Sequence, residues 1–357
     1  MTYSIGLLRF EEHYFPRIWG GQHLRALFQK PIPPNVAIGE AWLVSDHPSA
    51  QSVILRGKHQ GKTLQELMRE NVSALLGTAA KPTPGGRFPL LLKLLDAEDV
   101  LSVQVHPDDA AASRLGEKDV GKTEMWFVLS ATPDSRLYCG LQEKTTREDV
   151  LQAVERENLD AYMVSYPVQS GDAVMVPAGT VHAIGAGLVL AEIQQNSDLT
   201  YRLYDWGRVQ ADGKPRPLHL DKATEVIHYG KRPPQPTRGF VVKDNDTTRV
   251  ILGACRYFAA ELVPLSTGWY TRDTRNASFH LLLGVAGNIM VETDTGNENL
   301  SPGDAVLVPA ELASYTLQGT GEVLTYYVPE MEIDIIRPLV AANYRSEQIN
   351  ELVSQGV

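Results

Sequence analysis

Short apolar segments separated by turns make up most of the chain. These segments are rich in β-branched residues and are bounded by Gly, Pro or Asp, a pattern typical of strands joined by turns. The pattern predicts strands at residues 173–176, 188–193, 257–263, 280–285 and 305–308. We therefore expect a mainly β protein.

Apolar residues recur at helical spacing in only a few windows. The clearest window is residues 63–76, and its apolar face is formed by Leu64, Leu67, Met68, Leu75 and Leu76. Residues 146–159 open with Thr and two acidic residues, which is a common helix start. Weaker helical patterns cover residues 219–229 and 346–354, while residues 81–87 predict a loop. Helices are thus expected as short insertions.

One motif occurs in both halves of the chain. Residues 171–178 are GDAVMVPA and residues 303–310 are GDAVLVPA, which agree at seven of eight positions. Such a repeat indicates a duplicated β module, and it resembles a conserved stretch of the cupin fold, a small jelly-roll barrel. We predict two cupin-like jelly-roll β-barrels, a metal-binding catalytic domain over residues 1–235 and a second, metal-free domain over residues 236–357. Pro-rich residues 231–237 are the candidate linker.

The two copies differ just beyond the motif. His182 lies eleven residues after Gly171, and the same step from Gly303 leads to Ser314. An imidazole can bind a metal where a hydroxyl is a poor ligand. The first barrel is therefore the candidate metal site, and we expect the second to be structural.

Composition narrows the class of protein. The 357 residues carry a formal net charge of −10, which disfavours binding to nucleic acid or to an anionic membrane. With only two cysteines, Cys139 and Cys255, neither a disulfide framework nor a cysteine-based zinc site is expected. The N-terminal residues have no signal-peptide pattern and no apolar stretch reaches membrane-spanning length. We expect a soluble, cytoplasmic protein.

Three segments of the first half carry candidate metal ligands. In LSVQVHPDD (residues 101–109), alternation along a strand would place Gln104 and His106 on one face. In KTEMW (residues 122–126), Lys122 and Glu124 are likewise two apart on a predicted strand, and His182 enters a strand after a Pro-Ala-Gly turn. An amide oxygen, two imidazoles and one carboxylate make a plausible site for a first-row metal.

Each of these residues also has an ordinary structural explanation. An isolated histidine is usually a surface or hydrogen-bonded group, and an isolated buried Gln usually serves hydrogen bonding. Asp108 and Asp109 are more simply explained as caps of a short helix over residues 110–115. The remaining histidines stay in the ordinary class: His13, His23, His47, His59, His219, His228 and His280.

Longer motifs resemble those of a known family. The segments FPLLLKLLDAEDVLSVQVHPDD (88–109), GKTEMWFVL (121–129) and PAGTVHAIGAGLVLAEIQQNSDLTYRLYDWGR (177–208) resemble type I mannose-6-phosphate isomerases of the short bacterial form. RIWGGQHL (17–24) and GEAWLVSDHPS (39–49) also fit. The resemblance implies interconversion of mannose 6-phosphate and fructose 6-phosphate, with a sugar phosphate as the partner molecule.

The resemblance also assigns site residues. It implies one Zn²⁺ per chain, held by Gln104, His106, Glu124 and His182. It further implies active-site roles for three basic residues: Lys93, Lys122 and Arg202. Where longer members have a histidine before the lysine of the second motif, this chain has Gly121, and it has no room for their helical domain.

A mechanism fits these residues, and two alternatives remain. Isomerisation through a cis-enediol needs a group that stabilises negative charge on the carbonyl oxygen and a group that moves the proton. Lys122, Arg202 and a bound water are all candidates for the base, and a dication nearby would lower the pKa of a lysine.

Two histidines and one carboxylate also suit a non-haem iron oxygenase, and the basic residues also suit a non-catalytic sugar-phosphate-binding cupin.

Overall fold

The computed structural model describes residues 4–210, 212–244, 247–266 and 268–354. Within these residues there are 21 strands and seven α-helices, so the predicted mainly β fold is confirmed. Among the helices described, none is long and apolar enough to cross a bilayer. Cys139 and Cys255 are both buried and free, as expected from the cysteine count.

The described chain divides into two compact units that are not continuous in sequence. The middle unit comprises residues 14–41 and 93–237, and the terminal unit comprises residues 4–13, 42–92 and 238–354. The predicted division after residue 235 lies close to the last of these boundaries. Residues 42–92 belong to the terminal unit because they pack with it, although they precede the candidate site in sequence.

Two sheets build the middle unit. One has the order β1-β2-β5-β12-β7-β10, with β1 at His13–Gly21, β2 at Ile38–Val44, β5 at Leu90–Ala97, β12 at Leu188–Gln195, β7 at Glu124–Ala131 and β10 at Ala173–Val176. The other has the order β13-β6-β11-β8-β9, with β13 at Tyr201–Tyr204, β6 at Val103–Val105, β11 at His182–Ile184, β8 at Arg136–Leu141 and β9 at Met163–Pro167. Apolar side chains such as Trp126, Leu137 and Leu190 form a core between their strands.

One large sheet dominates the terminal unit. Its order is β14-β15-β16-β21-β18-β19, with β14 at Phe240–Asp244, β15 at Thr247–Ala254, β16 at Ala259–Leu265, β21 at Ser314–Tyr327, β18 at His280–Thr293 and β19 at Gly296–Leu300. β17 (Trp269–Asp273) pairs with β21, and β20 (Ala305–Val308) pairs with β18. A small pair, β3 (Asp46–His47) and β4 (Ala50–Gln51), completes the strands.

The helices are short, as the sequence predicts. They are α1 (His23–Phe28), α2 (Leu64–Leu76), α3 (Asp109–Arg114), α4 (Arg147–Glu155), α5 (Leu220–Val226), α6 (Arg337–Ala341) and α7 (Ser346–Ser354). Thr63 and Thr146 cap α2 and α4 through reciprocal capping boxes. The fourth helix ends earlier than predicted because Glu157 adopts a left-handed conformation, with φ of 55°.

The repeated motif forms a strand in both units. The predicted strands 173–176 and 305–308 are confirmed as β10 and β20. The Pro-Ala that follows leads into a turn in the first copy and into a short 3-10 helix, Ala310–Leu312, in the second. His182 is then the first residue of β11 and Ser314 the first residue of β21. Predicted strand 280–285 is longer than expected, since β18 runs on to Thr293, and predicted strand 257–263 begins two residues later.

Candidate metal centre and active site

Neighbouring strands of the middle unit bring the predicted ligands together. His182 at the start of β11 lies directly opposite Gln104 on β6, and Glu124 is the first residue of β7. Two expectations about the backbone were wrong. His106 lies just after β6 and not on it, because the strand ends at Val105, ahead of Pro107. Lys122 lies before β7, which begins at Glu124.

The ligand atoms converge on one point. Oε1 of Glu124 is 3.3 Å from Nε2 of His182, and its Oε2 is 3.4 Å from Nε2 of His106. Nε2 of Gln104 lies 3.3 Å from Nε2 of His182. All but Gln104 are fully buried, and the amide of Gln104 can present its oxygen instead after a half-turn about its last bond. The four residues that the sequence predicts therefore lie around one small space.

Backbone carbonyls orient both imidazoles. Nδ1 of His106 donates to the carbonyl oxygen of Leu199 at 2.6 Å, and Nδ1 of His182 donates to that of Thr180 at 2.9 Å. The proton of each ring therefore lies on Nδ1, and Nε2 keeps its lone pair toward Glu124. This is the tautomer that histidine uses as a metal ligand.

Buried atoms without partners indicate that a metal fits here. Among the described residues, Nε2 of His106 and Oε1 of Glu124 are buried and lack a hydrogen bond, and Oε2 of Glu124 has the ammonium of Lys122 beside it at 2.9 Å. Leaving buried ligand atoms unsatisfied costs free energy that a bound cation would recover. Two imidazole nitrogens and a carboxylate oxygen are ligands typical of zinc. A second metal-capable group, His23, Asp96 and Glu98, differs because Asp96 already accepts the backbone N–H of His23 and Leu24.

Burial also sets the charge of the ligands. It lowers the pKa of His106 to about 3, with Lys122 adding to the effect, and it lowers the pKa of His182. Burial alone would raise the pKa of Glu124, but Lys122, whose Nζ is 2.9 Å away, holds that pKa well below its usual range. The site therefore presents neutral imidazoles and an ionised carboxylate at neutral pH.

The predicted basic residues line a cavity of about 420 Å³ beside this cluster. Lys93 lies on β5 with its Nζ 3.4 Å from Glu192 and 3.6 Å from Glu40. Arg202 on β13 lies opposite Gln104, and its guanidinium donates to the carbonyl of Pro217 and to Ser102. Lys93, Lys122 and Arg202 thus share one cavity with Gln104. Burial alone would lower the pKa of Lys122, but Glu124 and Glu192 raise it above its ordinary value.

Further charged residues of the cavity were missed from sequence. Arg17, Arg216, Glu40, Glu192 and Asp198 also line it, so that five cationic and three carboxylate side chains surround the space. Glu192 is the most notable, because its Oε2 accepts the indole N–H of Trp126 while burial and the charge of Glu124 raise its pKa. The sequence could have pointed to Glu192, because it is a single carboxylate within an apolar strand pattern, and a buried carboxylate usually has a partner or a function.

Steric crowding explains why position 121 is a glycine. A Cβ atom there would lie 2.4 Å from both the carbonyl carbon of Asp108 and the backbone nitrogen of Asp109. The backbone N–H of Gly121 also donates to Asp109. No side chain, and hence no imidazole, fits at this position of the chain.

The comparisons with known proteins agree with this site. Residues 7–130 match the family model for the phosphomannose isomerase type I catalytic domain, and residues 247–328 match that for the mannose-6-phosphate isomerase cupin domain. Mannose-6-phosphate isomerase ManA of Bacillus subtilis is 37% identical over 322 residues, which span 90% of this chain and 98% of the relative. The chain belongs to the type I mannose-6-phosphate isomerases. The predicted cupin-type fold is confirmed.

Other relatives of this isomerase support the same assignment. The mannose-6-phosphate isomerase of Streptococcus mutans is 34% identical over 88% of this chain and 96% of the relative. The solved structure of the Bacillus subtilis mannose 6-phosphate isomerase superposes with a TM-score of 0.81 at 28% identity and covers 90% of this chain and 99% of that one. This family assignment sets aside the oxygenase and the non-catalytic alternatives.

Proposed function

We propose that this isomerase interconverts mannose 6-phosphate and fructose 6-phosphate through a cis-enediolate, with one Zn²⁺ held by Gln104, His106, Glu124 and His182. The observation that carries the proposal is the convergence of two Nε2 atoms and an ionised carboxylate beside a cavity lined by five cations. Neutral donors and a single carboxylate leave a bound dication with a net positive charge. When bound, the zinc supplies the charge that favours an enediolate over the neutral sugar.

The chain's own cations bind and orient the substrate in this proposal. Arg202 presents a planar guanidinium to the cavity, a geometry that matches two oxygens of a phosphate. Its Nε and Nη1 are already fixed by Ser102 and the Pro217 carbonyl, so little side-chain freedom is lost on binding. Arg216, held by both oxygens of Asp205, adds a second fixed guanidinium.

The buried lysines and Glu192 face the reacting end of the sugar. Lys122 contacts Glu124 at 2.9 Å, and Lys93 contacts Glu192 at 3.4 Å. Protons can therefore be held on Lys122 or Arg202 or on a water between them, and the three remain the candidates for the base. In the protein alone Glu124 and Glu192 raise the pKa of Lys122, so a lowered value would require a further positive charge nearby.

A coupled assay of mannose 6-phosphate conversion tests the proposal directly. The purified enzyme should convert mannose 6-phosphate to fructose 6-phosphate, lose this activity after prolonged dialysis against a chelator, and regain it with added Zn²⁺. Absence of conversion by the zinc-loaded protein would refute the activity. Conversion that survives complete metal removal, verified by elemental analysis, would refute the metal's role.

Arg202→Lys tests the phosphate site. Lysine keeps the charge but cannot donate two parallel hydrogen bonds to a phosphate. We therefore expect kcat/KM to fall by about tenfold or more, the effect of losing one charge-assisted hydrogen bond. Urea unfolding should change little, since the cavity tolerates the smaller group. Arg136→Lys, an exposed arginine on β8, is the matched control and should leave kcat/KM unchanged. An unchanged kcat/KM in Arg202→Lys would remove this residue from the mechanism.

A further inference from the structure

A buried carboxylate near the active-site cavity has two arginines as partners. Asp205 directly follows β13 and is only 6% exposed, but it does not line the cavity and lies outside the proposed ligand set. Burial alone would raise the pKa of Asp205, but hydrogen bonds from Arg216 and Arg208 lower it, so the carboxylate is charged at neutral pH. Because burying a charged carboxylate is costly unless it is paired, these two partners indicate what Asp205 contributes.

Asp205 holds Arg216 with both of its oxygens. Nε of Arg216 donates to Oδ2 at 2.7 Å, and Nη2 donates to Oδ1 at 2.5 Å. Two parallel hydrogen bonds fix the plane of a guanidinium as well as its position. Arg216 lines the cavity, and its Nη1 has no hydrogen-bond partner among the residues that the structure describes. This contact therefore leaves one guanidinium nitrogen of Arg216 for a ligand.

Arg208 holds Asp205 in turn and does not line the cavity. Its Nη2 donates to Oδ1 of Asp205 at 2.7 Å, and its backbone N–H donates to the carbonyl oxygen of Asp205. Nη1 of Arg208 donates to the carbonyl of Val100 and lies 3.4 Å from Oδ2 of Asp99. Two carboxylates thus face two arginines, so these four groups balance in charge. What Asp205 contributes is the fixed position of Arg216.

Arg202 lies next to Arg216. Nη1 of Arg202 donates to the carbonyl of Pro217, the residue after Arg216, at 2.9 Å. The backbone N–H of Arg202 donates to Nδ1 of His219 at 3.1 Å, and its carbonyl accepts the backbone N–H of His219 at 2.8 Å. Residues 216–219 are therefore fastened to β13 beside the cavity.

The side chain of Arg202 is held by uncharged groups. Among the described residues it donates to the hydroxyl of Ser102 and to the carbonyl of Pro217. Burial lowers the pKa of Arg202 and the charge of Arg216 adds to this effect, as expected for two cations that lie close together. Two neighbouring guanidinium groups therefore line one cavity, one held by a carboxylate and the other by neutral oxygens.

A phosphate ester suits such a pair of guanidinium groups. It has three terminal oxygens and carries a charge of about −1.5 to −2 at pH 7, so it can accept hydrogen bonds from two arginines at once. The hydroxyl of an unphosphorylated sugar has one oxygen and no charge. If Arg216 were free to move, ordering its side chain would weaken binding, and the contact with Asp205 avoids this loss.

We propose that Asp205 is a positioning residue, which holds Arg216 beside Arg202 so that this isomerase selects phosphorylated over unphosphorylated sugars. Arg216 is then a specificity-determining residue, and Asp205 acts through it without touching the substrate. The proposal rests on the proposed function, since it concerns the phosphate end of the same substrate.

Calorimetric titration of the full-length zinc-loaded protein with mannitol phosphate tests this selection. The probe is the reduced substrate, so it carries the phosphate but has no carbonyl to isomerise, and unphosphorylated mannitol is the comparison. The wild type should bind mannitol phosphate far more tightly than mannitol. Equal affinity for both, or no binding of mannitol phosphate up to about ten millimolar, overturns the proposal.

Asp205→Asn is the decisive variant. It nearly keeps the shape of the side chain but loses the charge and one of the two acceptor oxygens that face Arg216. Affinity for mannitol phosphate should fall by about tenfold or more, the effect of losing one well-placed charge-assisted hydrogen bond. Asp134→Asn, at an exposed turn between β7 and β8, is the matched control and should bind as the wild type does. Equal affinity of the wild type and Asp205→Asn overturns the proposal.

A double variant separates positioning from a general loss of structure. If Asp205 acts through Arg216, then Asp205→Asn should weaken binding no further in a protein that already carries Arg216→Met. Losses of affinity that multiply in the double variant overturn the positioning role. If Asp205→Asn fails to fold, as urea unfolding would show, Arg216→Lys keeps the charge but cannot form the two-pronged contact with Asp205. It should still weaken binding several-fold, and unweakened binding overturns the proposal.

Turnover distinguishes this proposal from the reaction on which it rests. Wild type that binds mannitol phosphate selectively but does not convert mannose 6-phosphate would refute the reaction and still support the phosphate contact. In an enzyme that converts it, Asp205→Asn should raise KM for mannose 6-phosphate with little change in kcat, because the phosphate is remote from the reacting carbons. A fall in kcat without a change in KM would overturn the positioning role.

Discussion

At the residue scale, two backbone carbonyls fix the tautomer of the two histidines of the proposed metal site. The oxygens of Leu199 and Thr180 fix the protons of His106 and His182 on Nδ1. No side chain is needed to select the tautomer, in contrast to sites where a carboxylate holds the histidine. Substitution of neighbouring side chains would therefore leave the orientation of both rings largely intact.

Glu124 is the residue on which metal binding should depend most. Glu124→Gln removes the one negative charge of the ligand set while nearly preserving its shape. We expect Zn²⁺ affinity to fall by more than about tenfold, since even residues behind the ligands have effects of that size. Competition with a chromophoric chelator measures this. Glu192→Gln changes a carboxylate of the neighbouring cavity, outside the proposed ligand set, and should keep its zinc. Equal loss in both variants would contradict the assignment.

Gly121 should not tolerate even a methyl group. In Gly121→Ala the Cβ atom must displace the backbone of Asp108 and Asp109, 2.4 Å away. We expect a loss of about 1–3 kcal/mol in the free energy of unfolding, as for other overpacked sites. Urea unfolding measures it. Gly85→Ala, where the nearest atom would be 3.8 Å away, is the control and should be nearly neutral; a similar loss there would show that the steric explanation is wrong.

At the element scale, helix α3 lies between His106 and Lys122, two residues beside Glu124 in the proposed site. It follows His106 and Pro107, and Asp108 caps it by accepting the backbone N–H of Ala111 at 2.7 Å. The chain then returns to Lys122, whose backbone N–H donates to the carbonyl of Pro107. This closed loop holds His106 and Lys122 on the same side of Glu124.

Loss of the cap should weaken this element. Asp108→Ala should lower the free energy of unfolding by about 1 kcal/mol, the usual effect of removing an N-cap. Asp108→Asn retains an acceptor oxygen and should lose much less, which makes it the matched control. Urea unfolding measures both losses, from the urea concentration at the midpoint and a shared dependence of the unfolding free energy on urea concentration. Equal losses for Ala and Asn would show that the cap contributes nothing.

At the scale of the whole molecule, charge is distributed unevenly. The chain has a net charge of −10, yet the cavity beside the metal centre has five cations against three carboxylates. The rest of the chain therefore carries the excess of negative charge. An anionic substrate is selected by the local field of the cavity and not by the net charge.

The buried Glu261 should influence acid stability of the entire protein. Its pKa lies near 2 in the folded state, against an ordinary value of 4.5. A lowered pKa stabilises the fold above about pH 4.5, and this contribution is lost as the pH falls toward 2. Glu261→Gln removes the buried carboxylate that pairs with Arg249 and Arg272, and it should cost about 3–5 kcal/mol near neutral pH.

The difference in the free energy of unfolding between wild type and Glu261→Gln should shrink as the pH falls from about 4.5 toward 2, because the unfolded wild-type chain then takes up a proton at Glu261 that the folded protein does not. Urea unfolding at several pH values measures this difference. Glu332→Gln, an exposed carboxylate, should show almost no difference at any pH. A difference in the free energy of unfolding between wild type and Glu261→Gln that stays constant with pH would contradict the lowered pKa.

Local patterns were sufficient to locate several strands and helix starts. Alternation and turn residues locate β10 and β20, Thr63 and Thr146 begin helices where expected, and the motif places His182 at a strand start. These features depend on neighbours in sequence, so they can be predicted from it. The predicted positions of His106 and Lys122 on strands failed, because strand ends depend on pairing partners that are distant in sequence.

The sequence by itself therefore determined the fold class, the duplicated module and the residue types able to hold a metal. Only the tertiary structure decided which charged groups share a cavity. Glu40, Glu192 and Arg216 join Lys93 and Arg202 from separate segments. In the large sheet of the terminal unit, Arg272 on β17 meets Glu261 on β16. Such placements depend on how strands pair across long stretches of chain. The division into units that are discontinuous in sequence has the same cause.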